Sequence, residues 1–281
     1  MKIHYCSDLH FEMNHNWPSF IKDCKGGDCL ILAGDIINAI LLDPTRTDQY
    51  ARKAQKKMLK LYELWLDKYD HVLYIMGNHE HYGGVIYDTK NILVSFFKKH
   101  NMSNVYVLEN GAYQLTPDWC VLGATLWTDM NKGDPIAEID VQNGMNDYHV
   151  IYTRKLENGE WPRTTAPPNV LRCHHTMEIH RVSQDWIFSY CKRFKNVIVA
   201  THHAPSYQSE GTRTSNLTAG YCSNLERLIL ENPNIKYWIH GHTHNNIHYK
   251  IGETQVTSAM YGYQTYEPYL VNNFIIGSIT K

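Results

Sequence analysis

The residues that could do chemistry in this chain stand at the ends of five short hydrophobic runs. Each run has the composition of a buried β-strand, and each ends abruptly in Asp, Asn or His, the side chains that bind divalent metal ions. In chain order the five endings are Ser7-Asp8-Leu9-His10, Gly34-Asp35, Gly77-Asn78-His79-Glu80, Thr201-His202-His203 and Gly241-His242-Thr243-His244. Because strand ends of an α/β sheet gather side chains at one edge, the pattern predicts a metal site there.

The last of these endings is weak evidence by itself. A His-x-His pair such as His242 and His244 is more often part of an exposed polar loop than a metal site. Its occurrence with four similar endings in one chain favours the metal site, since several polar loops would have to converge on the same ligand types by chance.

Taken in order, the five endings resemble the motifs of the calcineurin-like metallophosphoesterases, and they span almost the whole chain. The resemblance implies an α/β fold, a four-layer α/β/β/α sandwich in which two mixed β-sheets pack face to face between helices. It also implies a metal-dependent phosphoric ester hydrolase, in which a hydroxide that bridges two ions attacks a phosphomonoester or a phosphodiester.

One position departs from the family pattern. Asn38 stands three residues after Asp35, where the family often has another acid. Because that acid is usually a support and not a direct ligand, the change is interpreted as tuning of the site.

The resemblance also assigns roles to individual residues. The first ion would be held by Asp8, His10, Asp35 and His244, and the second by Asp35, Asn78, His202 and His242. Asp35 would bridge the ions with one carboxylate oxygen on each. His79 would face the substrate, where an imidazolium can stabilise charge or protonate the leaving oxygen. Glu80 would orient His79 from behind.

Four neighbouring residues keep two interpretations each. His203 would either touch the substrate or make a structural hydrogen bond, and Asn38 would either bond to the ligands or cap a helix. His81 and Tyr82 would either line the pocket or, as is favoured, anchor the glycine turn that follows them.

The mixed oxygen and nitrogen ligands restrict the choice of ion. They suit manganese, iron, zinc, cobalt or nickel better than calcium or magnesium, which prefer oxygen ligands alone. Two divalent or trivalent transition-metal ions are therefore expected, with manganese as the first choice.

Composition bounds the class of protein. With 281 residues, 43% of them hydrophobic, the chain can bury a large core, and a single domain over residues 1–281 is expected. The net charge of −1 argues mildly against an extended nucleic-acid-binding surface, which normally has an excess of Lys and Arg. A nuclease is therefore kept as the alternative to a phosphoesterase of small substrates. A non-catalytic scaffold of the same fold is a further alternative, which the complete set of motif residues disfavours.

The expected location is the cytoplasm. The first strand begins at once, which leaves no room for a secretion signal, and no apolar run approaches the roughly 18 residues of a membrane span. The seven cysteines include no C-x-x-C pair and are expected to be reduced thiols and not zinc ligands. The oligomeric state is left open.

Hydrophobic periodicity predicts the elements between the motifs. Helices are expected over 43–70, 86–100, 175–194 and 224–230, and further strands over 104–108 and 119–127. Asp43 and Pro44 would begin the first of these helices. The alternation of strands and helices indicates parallel pairing.

Two polar segments are expected to roof the site. Residues 128–170 look like an irregular insertion, within which residues 145–148 would contact substrate or anchor a loop, and residues 206–222 form a second such segment. The roof favours a small or nucleotide-like phosphorylated substrate over a phosphoprotein. Residues 173–175, Cys-His-His, are interpreted as a polar helix start in preference to a ligand cluster.

Overall fold

The centre of the fold is a pair of β-sheets between layers of helices. A computed structural model of the chain describes residues 1–154, 169–211, 215–272 and 276–280. Within them the strands are β1 (Lys2–Cys6), β2 (Gly27–Ala33), β3 (Tyr69–Ile75), β4 (Val105–Leu108), β5 (Gly111–Thr116), β6 (Trp119–Ala124), β7 (Asn196–Thr201), β8 (Ile235–His240), β9 (His248–Ile251), β10 (Thr254–Ser258) and β11 (Gly277–Thr280). The α-helices are α1 (Ser19–Asp23), α2 (Gln49–Leu64), α3 (Thr89–Lys99), α4 (Met130–Gly133), α5 (Pro135–Gly144), α6 (Asp147–Val150), α7 (Cys173–Tyr190), α8 (Thr218–Tyr221), α9 (Glu226–Leu230) and α10 (Pro268–Asn272).

Both sheets are mixed. The first has the order β11-β1-β2-β3-β4 and the second the order β5-β6-β7-β8-β10-β9. Strands β1 to β4 run parallel, as do β6, β7, β8 and β10, while β11, β5 and β9 pair antiparallel at the edges. The carboxyl ends of the parallel strands therefore meet at one edge of each sheet.

The sheets pack face to face through alternate residues of their strands. On β2, Ile31 and Ala33 face the second sheet, where they join a buried cluster that includes Val121 and Ile198. The intervening Leu30 of β2 faces the helices on the other side. Because both faces are buried, the strand is a continuous apolar run, which is why its sequence shows no alternation.

Helices cover the two outer faces. Leu61 of α2 and Phe96 of α3 are fully buried against the first sheet, and Ile187 of α7 is fully buried against the second. Burial of each such side chain contributes about 1.5–3 kcal/mol. The predicted four-layer α/β/β/α sandwich is confirmed.

The helix that joins β2 to β3 begins later than the sequence predicts. Helix α2 is capped by Asp48, whose side chain accepts hydrogen bonds from the backbone N–H groups of Tyr50 and Ala51. Asp43 instead accepts from the backbone and hydroxyl of Thr45, 2.8 and 2.7 Å away, in a separate turn. Because the side chain of Asp43 is engaged in this turn, it does not cap the helix, which begins after Asp48.

The predicted irregular insertion is wrong for its described part. Residues 130–150 contain helices α5 and α6 and the short segment α4, in which Asn131 and Lys132 have positive φ, and Asp134 caps α5 with Pro135 in its first turn. A buried cluster that includes Met130, Val141 and Tyr148 holds these helices together. Helix α5 leaves Ile136 71% exposed, so its apolar residues do not follow one face and no helical period is visible in the sequence. The remainder of the segment, 155–168, lies outside the described residues.

Two sequence expectations on the thiols and on membrane spans can be compared directly with the structure. All seven cysteines are free thiols, and Cys6, Cys29, Cys120 and Cys191 are buried, as expected of core residues. In the part of the chain that the structure describes, none of the helices is both long and apolar enough to cross a bilayer.

Candidate metal centre

Three overlapping groups of side chains could hold metal ions at the carboxyl edge of the two sheets. In each group the ligand atoms lie within 4.8 Å of one another. The groups are Asp8, His10 and His244; His10, Asp35 and His79; and Asp35, His202 and His242. The loops after β1, β2, β3, β7 and β8 supply them, so the five sequence motifs meet at one place.

The first group is built on a pair of facing imidazoles. His10 Nε2 lies 3.3 Å from His244 Nε2, and His244 Nε2 lies 3.3 Å from Asp8 Oδ1. Two imidazole nitrogens directed at each other beside a carboxylate form a donor set that fits a transition-metal ion.

The group of Asp35, His202 and His242, which belongs to the predicted second ion, is made of buried residues only. His202 Nε2 lies 2.9 Å from Asn78 Oδ1 and 3.4 Å from Asp35 Oδ1. His242 Nε2 is buried and has no hydrogen-bond partner among the described residues. Such an unpartnered nitrogen is costly unless a ligand such as a metal ion satisfies it.

Asp35 lies between the two sets. Its Oδ1 faces His202, while its Oδ2 lies 3.8 Å from His10 Nε2. The carboxylate thus directs one oxygen to each side, which is the arrangement that a bridging ligand requires.

Hydrogen bonds at Nδ1 leave the Nε2 atoms of three histidines available as ligands. His202 Nδ1 donates to the backbone oxygen of Ala33 at 2.9 Å. His10 Nδ1 donates to Glu12 Oε1 at 3.1 Å, and His244 Nδ1 donates to Glu267 Oε2. With the proton fixed on Nδ1, the lone pair on Nε2 points into the site.

The backbone at the site is strained. Five of the predicted ligands adopt a positive φ, which is uncommon for residues other than glycine: Asp8 (57°), His10 (45°), Asp35 (57°), His242 (72°) and His244 (48°). Strain of this kind is concentrated at functional sites, where the surrounding structure holds it in place.

Glycine is required beside this strained backbone. A Cβ on Gly77 would lie 2.1 Å from Asp35 Oδ1 and 2.6 Å from the Asp35 nitrogen. The loops after β2 and β3 can approach each other only because position 77 has no side chain.

The buried carboxylates make the site attractive to cations. Burial opposes a positive charge on His202, but Asp35 outweighs it and raises the pKa of His202 to about 9. Burial likewise opposes the charge on His244, and hydrogen bonds to Asp8 and Glu267 raise its pKa to about 10. A field that holds protons this tightly also favours metal ions, which compete with protons for the same nitrogens.

His79 lies beside the ligands at the wall of the cavity. Its Nδ1 lies 3.0 Å from Glu12 Oε1, its Nε2 lies 3.2 Å from the Tyr263 hydroxyl, and its ring stacks on Tyr82 at 4.1 Å. Burial lowers its pKa, but Asp35 and Glu12 outweigh burial and raise it to about 9. His79 is therefore held on three sides and keeps an edge in the cavity.

Glu80 does not lie behind His79 as the sequence predicts. Its carboxylate accepts hydrogen bonds from the backbone N–H groups of Asp35 (2.9 Å), Ile36 (2.7 Å) and Gly77 (2.6 Å), and from the Tyr74 hydroxyl at 2.8 Å. It therefore ties the loop after β2 to the loop after β3. The place behind His79 is taken by Glu12.

Of the four residues with two interpretations, two line the cavity and two make hydrogen bonds within the fold. Asn38 makes no capping hydrogen bond with its side chain and lines the cavity. His203 is 1% exposed and donates from Nδ1 to the Thr125 oxygen at 3.2 Å, a structural role. His81 bonds to Thr89 at the start of α3, whereas Tyr82 lines the cavity.

The Cys-His-His sequence at 173–175 is the start of α7, as favoured from the sequence. His175 Nδ1 accepts from the backbone N–H of Arg172 at 3.1 Å, which satisfies an otherwise free donor at the helix start. None of these three residues belongs to the groups that could hold an ion in the described chain.

A cavity of about 670 Å³ opens over the metal-ligand edge. Residues from both predicted roof segments line it, among them Met145, Asp147, Glu210 and Tyr221. The described lining beyond the predicted ligands includes the four carboxylates of Glu12, Asp147, Glu210 and Glu267 and contains neither Lys nor Arg.

Sequence reasoning missed three residues of the site: Glu12, Tyr263 and Glu267. Glu12 follows His10 by two positions, so the local sequence held a signal for it. Tyr263 and Glu267 meet their histidine partners only through the fold, and nothing in their neighbourhood in the sequence marks them.

Known proteins resemble this chain in sequence and in fold. The sequence is similar to an uncharacterised protein of Acanthamoeba polyphaga mimivirus, with 27% identity over 267 residues, 86% of this chain and 84% of the relative. The fold is similar to that of a phosphopantetheinyl hydrolase from Mycobacterium tuberculosis (TM-score 0.62, 13% identity, 99% of this chain and 95% of the other). It is also similar to that of a dimetal phosphatase from Danio rerio (TM-score 0.52, 13% identity, 99% and 91%).

The family model of the calcineurin-like phosphoesterases matches residues 1–246, which include all five motifs. The match ends before Tyr263 and Glu267, so the segment that carries them lies outside it. With the sandwich fold and the three ligand groups at its edge, this match shows that the chain belongs to the calcineurin-like phosphoesterase family and is a metal-dependent phosphoric ester hydrolase.

Proposed function

We propose that the chain hydrolyses monoesters or diesters of phosphate with small alcohols, using two transition-metal ions. The observation that carries the proposal is the shared position of Asp35 between two ligand sets, beside His79 at the wall of one cavity. Asp8, His10, Asp35 and His244 would hold the first ion, and Asp35, Asn78, His202 and His242 the second.

The donor atoms fit these ions. Oxygen and imidazole nitrogen together suit manganese first, and iron, zinc, cobalt or nickel as alternatives. When bound, two such ions neutralise charge on a phosphoryl group and lower the pKa of a water molecule. The facing nitrogens of His10 and His244 and the unpartnered nitrogen of His242 support the assignment.

The protein itself orients the reacting groups. Glu12 and the stacked ring of Tyr82 hold His79 so that its Nε2 edge faces the cavity. In that position His79 can donate a hydrogen bond to the ester oxygen that leaves. Residues of the two roof segments, such as Met145 and Tyr221, line the same cavity as His79.

The charges of the cavity support a small substrate over a nucleic acid. Polynucleotide binding relies on Lys and Arg at the flanking phosphates, and the described lining offers carboxylates in their place. A substrate with one phosphate and a neutral or cationic alcohol group suits such a wall better than a chain of phosphates. The nuclease alternative is thus the less supported one.

A cytoplasmic location is part of the proposal. All seven cysteines are unpaired thiols, which is typical of a reducing compartment.

The test is hydrolysis of chromogenic monoester and diester phosphates by chelator-stripped protein, with and without added Mn²⁺. Turnover is expected only with metal, and His79→Ala should depress it, whereas His174→Ala, an exposed histidine on α7, should not. The ratio of the two rates identifies the ester class. Turnover that needs no metal, or that survives His79→Ala unchanged, would contradict the proposal.

Hydrolysis rates for several classes of natural phosphate ester narrow the choice of substrate class. Single-phosphate esters of neutral or cationic alcohols should be hydrolysed faster than nucleoside diphosphates or a short oligonucleotide. The reverse order would favour the nuclease.

A further inference from the structure

A single carboxylate oxygen lies between two of the histidines of the site. Glu12 Oε1 is 3.1 Å from His10 Nδ1 and 3.0 Å from His79 Nδ1, and the two rings meet edge to face at 4.5 Å. The Glu12 side chain is only 9% exposed. An ionised carboxylate can only accept hydrogen bonds, so both Nδ1 atoms must carry the hydrogen.

This contact fixes what the opposite nitrogens can do. His10 Nε2 then presents a lone pair to Asp8 and His244, 3.9 and 3.3 Å away. His79 Nε2 lies on the cavity side, 3.2 Å from the Tyr263 hydroxyl. One oxygen atom therefore sets the ring orientation of a predicted ligand of the first ion and of the histidine that faces the substrate.

No other described side chain offers an acceptor to these two Nδ1 atoms. Tyr263 stacks on His10 at 4.2 Å and Tyr82 stacks on His79 at 4.1 Å, and both contacts are through ring faces. Asn38, at the position where the family often has an acid, has a side-chain oxygen with no hydrogen-bond partner among the described residues. It therefore does not support either histidine.

Glu267 provides a natural comparison. It also accepts a hydrogen bond from a histidine Nδ1, that of His244, and it accepts a second one from the backbone N–H of Tyr263 at 3.0 Å. Glu12 and Glu267 thus support ligands of the same predicted ion, and only Glu12 is also bonded to His79.

We propose that Glu12 is a positioning residue shared by the first metal ion and by the substrate-facing histidine, and that it couples metal binding to turnover. The inference rests on the proposed function. It predicts that loss of Glu12 has two separable effects, one on the affinity for the first ion and one on kcat when both ions are saturating.

The first experiment compares Glu12→Ala with Glu267→Ala. Both variants should bind one of the two Mn²⁺ ions about 10–100-fold less tightly in calorimetric titrations, the usual loss for a carboxylate behind a histidine ligand. At saturating Mn²⁺, Glu12→Ala should lower kcat by about 100-fold with little change in KM, because His79 is no longer held in place to protonate the leaving oxygen, and Glu267→Ala should lower kcat at least about tenfold less. Equal kcat values for the two variants at saturating metal would overturn the proposal.

The conservative variant Glu12→Gln controls for damage to the fold. Its amide oxygen keeps an acceptor in the same place, so kcat should recover to within about 10-fold of the wild type. If Glu12→Gln is as slow as Glu12→Ala, the shared hydrogen bonds are not the cause and the proposal fails.

A spectroscopic readout does not depend on activity. In ¹H–¹⁵N spectra of Zn²⁺-loaded protein, assigned with single histidine variants, Glu12→Gln should shift the Nδ1–H signals of His10 and His79. Glu267→Gln should shift that of His244 alone. A shift at only one histidine in Glu12→Gln would overturn the shared role. Shifts as expected in a protein that hydrolyses none of the esters would support the role of Glu12 and contradict the proposed function instead.

Discussion

The two predicted ion sites differ in what stands behind their ligands. Behind the first, carboxylates hold the histidines, with Glu12 bonded to His10 and Glu267 bonded to His244. Behind the second, a backbone oxygen of the core strand β2 holds His202. The His202 side chain is fully buried, whereas that of His244 is 11% exposed at the cavity.

The difference concerns how each site can be tuned. Both a carboxylate and a backbone carbonyl raise the basicity of the histidine that they support, but only the carboxylate can be replaced by mutation. The second site is therefore part of the rigid sandwich. The first is adjustable, and its supports Glu12 and Glu267 lie next to the cavity where substrate would bind.

The largest expected effect comes from removing what the two sites share. Asp35→Asn takes away the negative charge between them, so both ions should be lost and turnover should fall at least about 1,000-fold. Metal analysis of the dialysed protein together with the Mn²⁺-dependent rate measures both quantities. Retention of one tightly bound ion would show that Asp35 does not bridge.

Removing one ligand from each side should separate the sites. His202→Ala should lower the metal content from two ions to one and leave the first site occupied, whereas His10→Ala should do the reverse. Rates in both should fall about 100-fold or more, because one ion alone cannot clamp the phosphoryl group. Competition with a graded chelator distinguishes the two remaining ions. Loss of both ions in either variant would contradict independent sites.

The same contrast explains what could be predicted from the sequence. The ligands follow buried parallel strands directly, and such strands are continuous apolar runs that are visible without a partner. The sequence therefore predicts that Asp8, Asp35 and His202 lie at the ends of buried strands, whereas the sandwich that gathers them was implied by the family resemblance. The positive φ angles of Asp8 and Asp35 and the need for glycine at position 77 arise because the loops meet at one edge of the sheets. Nothing in the neighbouring sequence indicates either feature.

What the sequence did not reveal depends on contacts made across the fold. Glu267 contacts His244 from a segment that lies beyond the family match. Glu80 does not contact His79, because its carboxylate accepts hydrogen bonds from the backbone N–H groups around Asp35. The helices of residues 130–150 were missed because Met130, Val141 and Tyr148 bury themselves from three short helices without a shared period.

His79→Ala tests whether, at the carboxyl edge of the two sheets, catalysis and metal binding depend on different residues. The histidine touches Glu12 and Tyr263 but is outside the predicted ligand set, so both ions should stay bound while kcat falls about 100-fold. The loss should be larger for an ester with a poor leaving group than for a nitrophenyl ester. Metal loss equal to that of Asp35→Asn would refute this division of roles.

The smallest expected effect is a dependence of metal affinity on pH that differs between the sites. The pKa of His202 is raised to about 9 and that of His244 to about 10, so at pH 7 an ion must displace a proton from each. A higher pH therefore strengthens binding, by about tenfold per pH unit for each displaced proton. For the second ion the gain should level off near the pKa of His202, while for the first it should continue to that of His244.

Mn²⁺ titrations in buffers with different ionisation enthalpies count the released protons. An affinity independent of pH would mean that neither histidine loses a proton to metal. Identical profiles would instead show that the carboxylate behind His244 does not set the first site apart from the second.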